Sequence, residues 1–153
     1  MRLRAAAPLL AVLSGVLTAS CSAPLTEIVV VVDTDYTVPA ELDGVRIDVA
    51  GASGTTQSAT AVVTGVASLP VTLGVRPASS QTTDVTVTAT GLHTGTTLVS
   101  TVVRTSFIEG RRLVLHMYLL RACHDVHCAP GLTCRAGTCV DETVPPETLP
   151  PFD

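Results

Sequence analysis

Residues 112–119 read Arg-Leu-Val-Leu-His-Met-Tyr-Leu, and the order of side chains in those positions decides the fold class. Leu113, Leu115, Met117 and Leu119 occupy every second position, with Arg112, Val114, His116 and Tyr118 between them. A period of two places one set on each face of an extended strand, whereas a helix would scatter both sets around its surface. The same period recurs toward the N-terminus. Val85, Val87 and Ala89 alternate with Thr86, Thr88 and Thr90, and Leu69, Val71, Leu73 and Val75 share one face of a further run. Val45, Ile47 and Val49 alternate with Arg46, Asp48 and Ala50, and Ile28, Val30 and Val32 with Val29, Val31 and Asp33. Weaker runs cover 58–63 and 98–108. Valine and threonine dominate throughout, and β-branched side chains fit a pleated, half-buried surface.

Turn-forming stretches separate the runs: Pro39 to Gly44, Gly51 to Gly54, Pro77 to Thr83, Gly91 to Gly95, and Glu109-Gly110. About seven short strands at this spacing predict an all-β domain over residues 26–120, a seven-stranded antiparallel β-sandwich. Its order is open between immunoglobulin-like and transthyretin-like, because the chain has no Trp to complete an immunoglobulin Cys…Trp…Cys pattern. The core is expected to be Val, Leu, Ile and Ala.

Residues 1–20 carry Arg2 and Arg4 ahead of an apolar run from Ala5 to Leu17, the layout of an export signal and too short to span a bilayer. An exported chain meets an oxidising compartment, which bears on the other notable stretch, CHDVHCAPGLTCRAGTC. Its cysteines, Cys123, Cys128, Cys134 and Cys139, are spaced C-x4-C-x5-C-x4-C. The absence of C-x-x-C argues against a thioredoxin-like pair. His124 and His127 lie among the cysteines and keep a zinc site as an alternative, although zinc motifs carry tighter spacings. Two structural disulfides are expected over residues 121–140, in any of three pairings. Roughly twenty residues bury too little to fold without such a constraint. Residues 141–153, acidic and proline-rich, are expected to form a solvated, disordered tail, with a docking peptide as the alternative.

Chemistry-bearing motifs are sparse. The sequence has no G-x-S-x-G, no H-E-x-x-H and no glycine-rich phosphate loop after a strand, so no enzyme activity and no cofactor are expected. Asp33, Asp35 and Asp43 are weak candidates for calcium, since aspartates at strand ends more often form turns. His93 and His116 are expected to be exposed. The formal charge of −4 becomes −6 without Arg2 and Arg4, and no basic patch offsets it, so nucleic acid is not an expected partner. With only two tyrosines and no Trp, aromatic stacking of a sugar is poorly supported.

Three resemblances add to this. Leu17-Thr18-Ala19-Ser20-Cys21 resembles a bacterial lipobox, which implies lipidation of Cys21 and a short linker at residues 21–25. That use of Cys21 also leaves an even four cysteines. Ser22 follows where an inner-membrane retention signal has aspartate, which implies an outer-membrane anchor; the alternative is an ordinary secretory signal cut near Ser20 or Ala23, with a periplasmic or secreted protein. The C-terminal cysteine block resembles a fragment of an EGF-like module, which implies Cys123–Cys134 and Cys128–Cys139. As a whole, LTASC, IVVVVDTDYTVPAELDGVRIDV and LLRACHDVHCAPGLTCRAGTCV resemble uncharacterised surface lipoproteins of myxobacteria and their relatives. That resemblance brings no activity with it. The leading expectation is a non-catalytic envelope module, structural or adhesive, that is held at the membrane by its anchor and binds a protein or polysaccharide partner at the cell surface. The runner-up is a lipoprotein that binds a small ligand or a metal, calcium or zinc.

Overall fold

The computed structural model describes residues 25–52, 54–78 and 83–152. The signal segment and Cys21 lie outside the described residues. Seven strands follow one another before the cysteine block: β1 (Glu27–Thr34), β2 (Gly44–Gly51), β3 (Thr56–Val62), β4 (Val71–Val75), β5 (Asp84–His93), β6 (Thr96–Ser106) and β7 (Arg112–Leu119). They form a three-stranded sheet, β4-β1-β7, and a four-stranded sheet, β3-β2-β5-β6. A hairpin of β8 (Leu132–Arg135) and β9 (Thr138–Asp141) forms a third, small sheet.

The predicted alternation sets the layers. Leu113, Leu115, Met117 and Leu119 are at most 3% exposed, and their β1 neighbours Ile28, Val30 and Val32 are fully buried. Val45, Ile47, Val85, Val87 and Ala89 meet them from the other sheet in one core. β1 is the central strand of its sheet and Val29 on its second face is also buried. A strand covered on both faces reads as a continuous apolar run, which accounts for Ile28 through Val32.

Two expectations are corrected here. The sandwich is not purely antiparallel: β1 pairs with β7 in parallel, from Glu27 opposite Arg112 to Thr34 opposite Leu119. The first and last strands run the same way because five strands separate them, and no hairpin constrains their direction. The partition also differs from the immunoglobulin constant-type order, in which strands 1, 2, 5 and 4 share one sheet and 3, 6 and 7 the other.

The second correction concerns residues 141–152, which are not a free tail. The Val144 amide donates to the Arg104 carbonyl and the Arg104 amide to that of Glu142, both at 2.8 Å, along the edge of β6. Farther on, the Val114 amide donates to Pro150 and the Phe152 amide to Arg112, both at 2.9 Å, along the edge of β7. Glu142 is 8% exposed and ion-paired with Arg104 at 2.9 Å. The prolines make this possible: they hold the segment extended, their carbonyls still accept, and non-proline residues between them donate. Val144 and Leu149 pack against the core. One flank of the sandwich is thus covered by the chain's own end.

Tight turns join the hairpins. Thr94-Gly95 between β5 and β6, and Ala136-Gly137 between β8 and β9, have positive φ at both central residues, which matches the twist of the flanking strands. The Gly91 to Gly95 stretch is therefore mostly strand, and only Thr94-Gly95 turns. Gly91 itself sits at a register shift in the β5–β6 pairing. A Cβ there would lie 2.7 Å from Leu42 Cδ1, so the glycine opens the seat into which the fully buried Leu42 inserts.

Glu27 closes the N-terminal pole. Its carboxylate accepts from Arg112 Nε at 3.0 Å and from Arg76 Nε at 3.2 Å, and its side chain is 9% exposed. Burial alone would raise the carboxyl's pKa, but the hydrogen bonds and charges of Arg112 and Arg76 outweigh it and hold the group below the usual carboxylate range. A depressed folded pKa adds stability that is complete above the unfolded value and is lost as pH falls through the folded value. E27Q is therefore expected to lower stability at neutral pH by about 1–3 kcal/mol. It should also flatten the decline in melting temperature below pH ~4.5. A thermal melt series from pH 3 to 7 (a range bracketing the carboxylates) checks both.

Candidate functional site

The residues singled out in the sequence fall on different parts of the molecule. Cys123 is bonded to Cys134 and Cys128 to Cys139, with Cα–Cα separations of 5.7 and 5.6 Å, the arrangement that the EGF-like likeness implied. Disulfide sulfurs are not thiolates, so the cysteines supply no zinc ligand. His124 instead lies 3.4 Å from the Tyr36 hydroxyl through Nδ1 and 3.4 Å from Asp125 through Nε2. His127 is exposed on the block, and His116 is exposed on β7. The block is seated on β6 by Thr133, whose hydroxyl accepts from the Val102 amide at 2.9 Å and lies 3.3 Å from the Thr101 hydroxyl.

The three aspartates are not brought together as a calcium cage. Asp33 accepts from the following amide, that of Thr34, at 2.8 Å. Asp35 accepts from the Arg121 amide at 2.7 Å, and Asp43 from the Thr94 amide at 2.8 Å, with His93 at 3.7 Å. Asp33 bonds only to its own neighbour at the end of β1, while Asp35 and Asp43 each fasten their loop to a distant segment, the structural use of aspartate at turns. Among the described residues no group of three or more His, Cys, Asp or Glu side chains is placed to hold a metal ion.

At the same pole Arg121 ties the block to the β1–β2 loop. Its guanidinium meets Glu41 with both terminal nitrogens and Thr37 Oγ1 at 3.1 Å, and its Cζ lies 5.3 Å from the centre of the Tyr36 ring. Hydrogen bonds from Thr37, by hydroxyl and amide, together with Arg121, draw the Glu41 pKa down to about 2. R121A is expected to loosen this pole only slightly, since the pair is solvent-exposed. Chemical denaturation of R121A against the unsubstituted chain checks it.

The feature left over is the flank that the described residues do not cover. β3 and β4 end their sheets, and among the described residues nothing pairs with their outer edges. Between them lies a groove of about 490 Å³, lined by Gln57, Ser58 and Ala59 of β3 and Leu73 and Val75 of β4, with Val49 of β2 and, where β4 ends and β5 begins, Arg76 and Asp84. This volume is within the range of binding sites. The connection at one end of the flank adds Val62 and Val66, 74% and 78% exposed, two of the most exposed large apolar side chains in the described structure. The sequence reading missed the groove because it arises from unequal sheet widths rather than from any motif. The weak alternation of 58–63, with alanines where other strands carry valines, was its one local signal.

Comparison with protein-family models, with curated proteins and with solved structures finds no match to this chain.

Proposed function

We propose that this protein is a non-catalytic cell-envelope module, anchored at the outer membrane through lipid on Cys21, that binds a protein or polysaccharide partner on its uncovered flank. One observation carries the reading: the two sheet edges on one side are sealed by residues 142–152, while among the described residues β3 and β4 on the other side have no partner on their outer edges and are bordered by exposed Val62 and Val66. Open edges invite pairing with other chains, and exported proteins usually blunt them with charge or proline. β3, Thr-Gln-Ser-Ala-Thr-Ala-Val, has neither. The anchor part of the reading is supported by the lipobox-like LTASC and by the even count of cysteines that it leaves, all four of them paired. For the fold, we infer the transthyretin-like order, since β4-β1-β7 facing β3-β2-β5-β6 departs from the immunoglobulin partition.

Two measurements test the proposal. The intact mass of the protein from its native membranes should begin at Cys21 with acyl chains and rise by about four hydrogens on reduction of two disulfides. An unacylated mass contradicts the anchor. A photo-reactive residue placed at Val66 should form discrete adducts in intact cells, and one at exposed Tyr118, on the outer face of β7, should not. Equal adducts at both positions, or none at Val66, contradict the flank as a binding surface.

A further inference from the structure

The narrower sheet lacks a partner for one strand of the wider one. β4 packs opposite β2, and β7 opposite β5 and β6, so among the described residues no strand of the narrower sheet is seated squarely against the core side of β3. Cross-strand partners point to the same face, and Ala59 and Ala61 lie opposite Ile47 and Val45, which are 2% and 1% exposed. Ala59 and Ala61 therefore point inward, yet Ala59 is exposed and Ala61 only half-buried. Beside them, Leu73 of β4 is half-buried at a position whose β1 partner, Val30, is fully buried. The result is a slot next to β4, roofed by β3.

We infer that this slot receives an extended, uncharged segment of a partner polypeptide, which adds to β4 as a fourth strand of the narrower sheet. Its alternate side chains lie against Ala59, Ala61 and Leu73. The inference rests on the partner-binding reading above and gives it a mode and a chemical class. Three observations select a polypeptide strand. The free edge of β4 offers main-chain donors and acceptors over Val71–Val75, roughly 17 Å of strand. The β3 and β4 walls carry no charge, and Arg76 and Asp84 stand only at one end, so an acidic glycan has no row of cations to meet. The opposite flank shows what such edges accept in this molecule: an extended peptide, held by main-chain hydrogen bonds to Arg104, Arg112 and Val114.

The test is amide hydrogen exchange on the purified full chain, with and without a synthetic probe peptide of sequence Lys-Thr-Val-Thr-Val-Thr-Val-Lys. Exchange over residues 71–75 is expected to slow about tenfold at saturating peptide, with β6 and β7 unchanged. A59K introduces a charge into the slot from an exposed position, should leave the melting temperature unchanged, and should abolish the slowing. No slowing over 71–75 at millimolar peptide overturns the inference, and so does slowing that A59K leaves intact. The cellular adducts at Val66 separate this from the broader reading. Adducts whose added mass is removed by glycosidases keep partner binding and overturn the strand mode, whereas absent adducts with slowed 71–75 do the reverse.

Discussion

Replacing all four C-terminal cysteines with alanine is expected to lower stability by about 3 kcal/mol per bridge, or somewhat less than twice that in total. Each bridge closes a loop with a sequence separation of 11, short enough that loop-closure entropy in the unfolded chain gives this size of effect. The loss should be uneven across the molecule. Cys123 and Cys134 are 6% and 7% exposed and belong to the core cluster, so their bridge fixes the hairpin of β8 and β9 onto β6 through Thr133. Cys128 and Cys139 lie farther out. Removing Cys123–Cys134 alone is therefore expected to cost more than removing Cys128–Cys139 alone. Residues 142–152 should lose protection with it, because the Glu142 amide donates to Gly131 within the block. Urea denaturation of the two paired variants checks the order, and equal losses would contradict it.

The second large effect is expected at Leu42. L42A removes a fully buried side chain from beneath the β1–β2 loop and should cost about 2–5 kcal/mol, a drop in melting temperature of about 10 °C or more. The seat is defined by Gly91, where an added Cβ would approach Leu42 Cδ1 to 2.7 Å, Val99 Cγ1 to 3.1 Å and Leu119 Cδ1 to 3.4 Å. G91A alone is accordingly expected to destabilise by about 1–3 kcal/mol through overpacking. Combined with L42A, the new methyl enters the space that Leu42 vacated. The double variant should then be more stable than the sum of the two single losses predicts, by about 1 kcal/mol or more. Simple additivity in thermal melts would contradict this account of Gly91.

These two sites mark the boundary of what was legible in the sequence. The alternation at Leu113 to Leu119 and at Ile28 to Val32 identified strands whose core faces are buried as read, because period-two burial is a local property of the chain. The disulfide-bonded block was legible for the same reason: four cysteines in one short stretch lie within reach of one another. The parallel pairing of β1 with β7 was not, since direction between strands that far apart depends on the path of everything between them. Leu42 stood inside a stretch that read as a turn, and only the close approach of Gly91 shows it as core. Asp33, Asp35 and Asp43 carried the right oxygen chemistry for a cation, yet spacing along the chain says nothing about which loop each carboxylate will fasten.

The tail and the groove were hidden by a different cause. Composition averaged over residues 141–153 is acidic and proline-rich, and the average conceals Val144, Leu149 and Phe152, each placed against an edge or the core, with Phe152 under Arg112 at 4.2 Å. The groove is a consequence of three strands facing four, which no single segment encodes. The asymmetry that follows, one flank closed by the chain itself and the other open, is the basis of the functional proposal.

Native-state amide hydrogen exchange on the full chain tests that asymmetry most directly. The account predicts that the Arg104, Val114, Val144 and Phe152 amides, which bond between the tail and the sheet edges, exchange slowly, at rates approaching those of the core strands. Amides on the free edges of β3 and β4 should exchange fast. Rapid exchange at Val144 and Phe152, at the rate of an unstructured peptide, would contradict it.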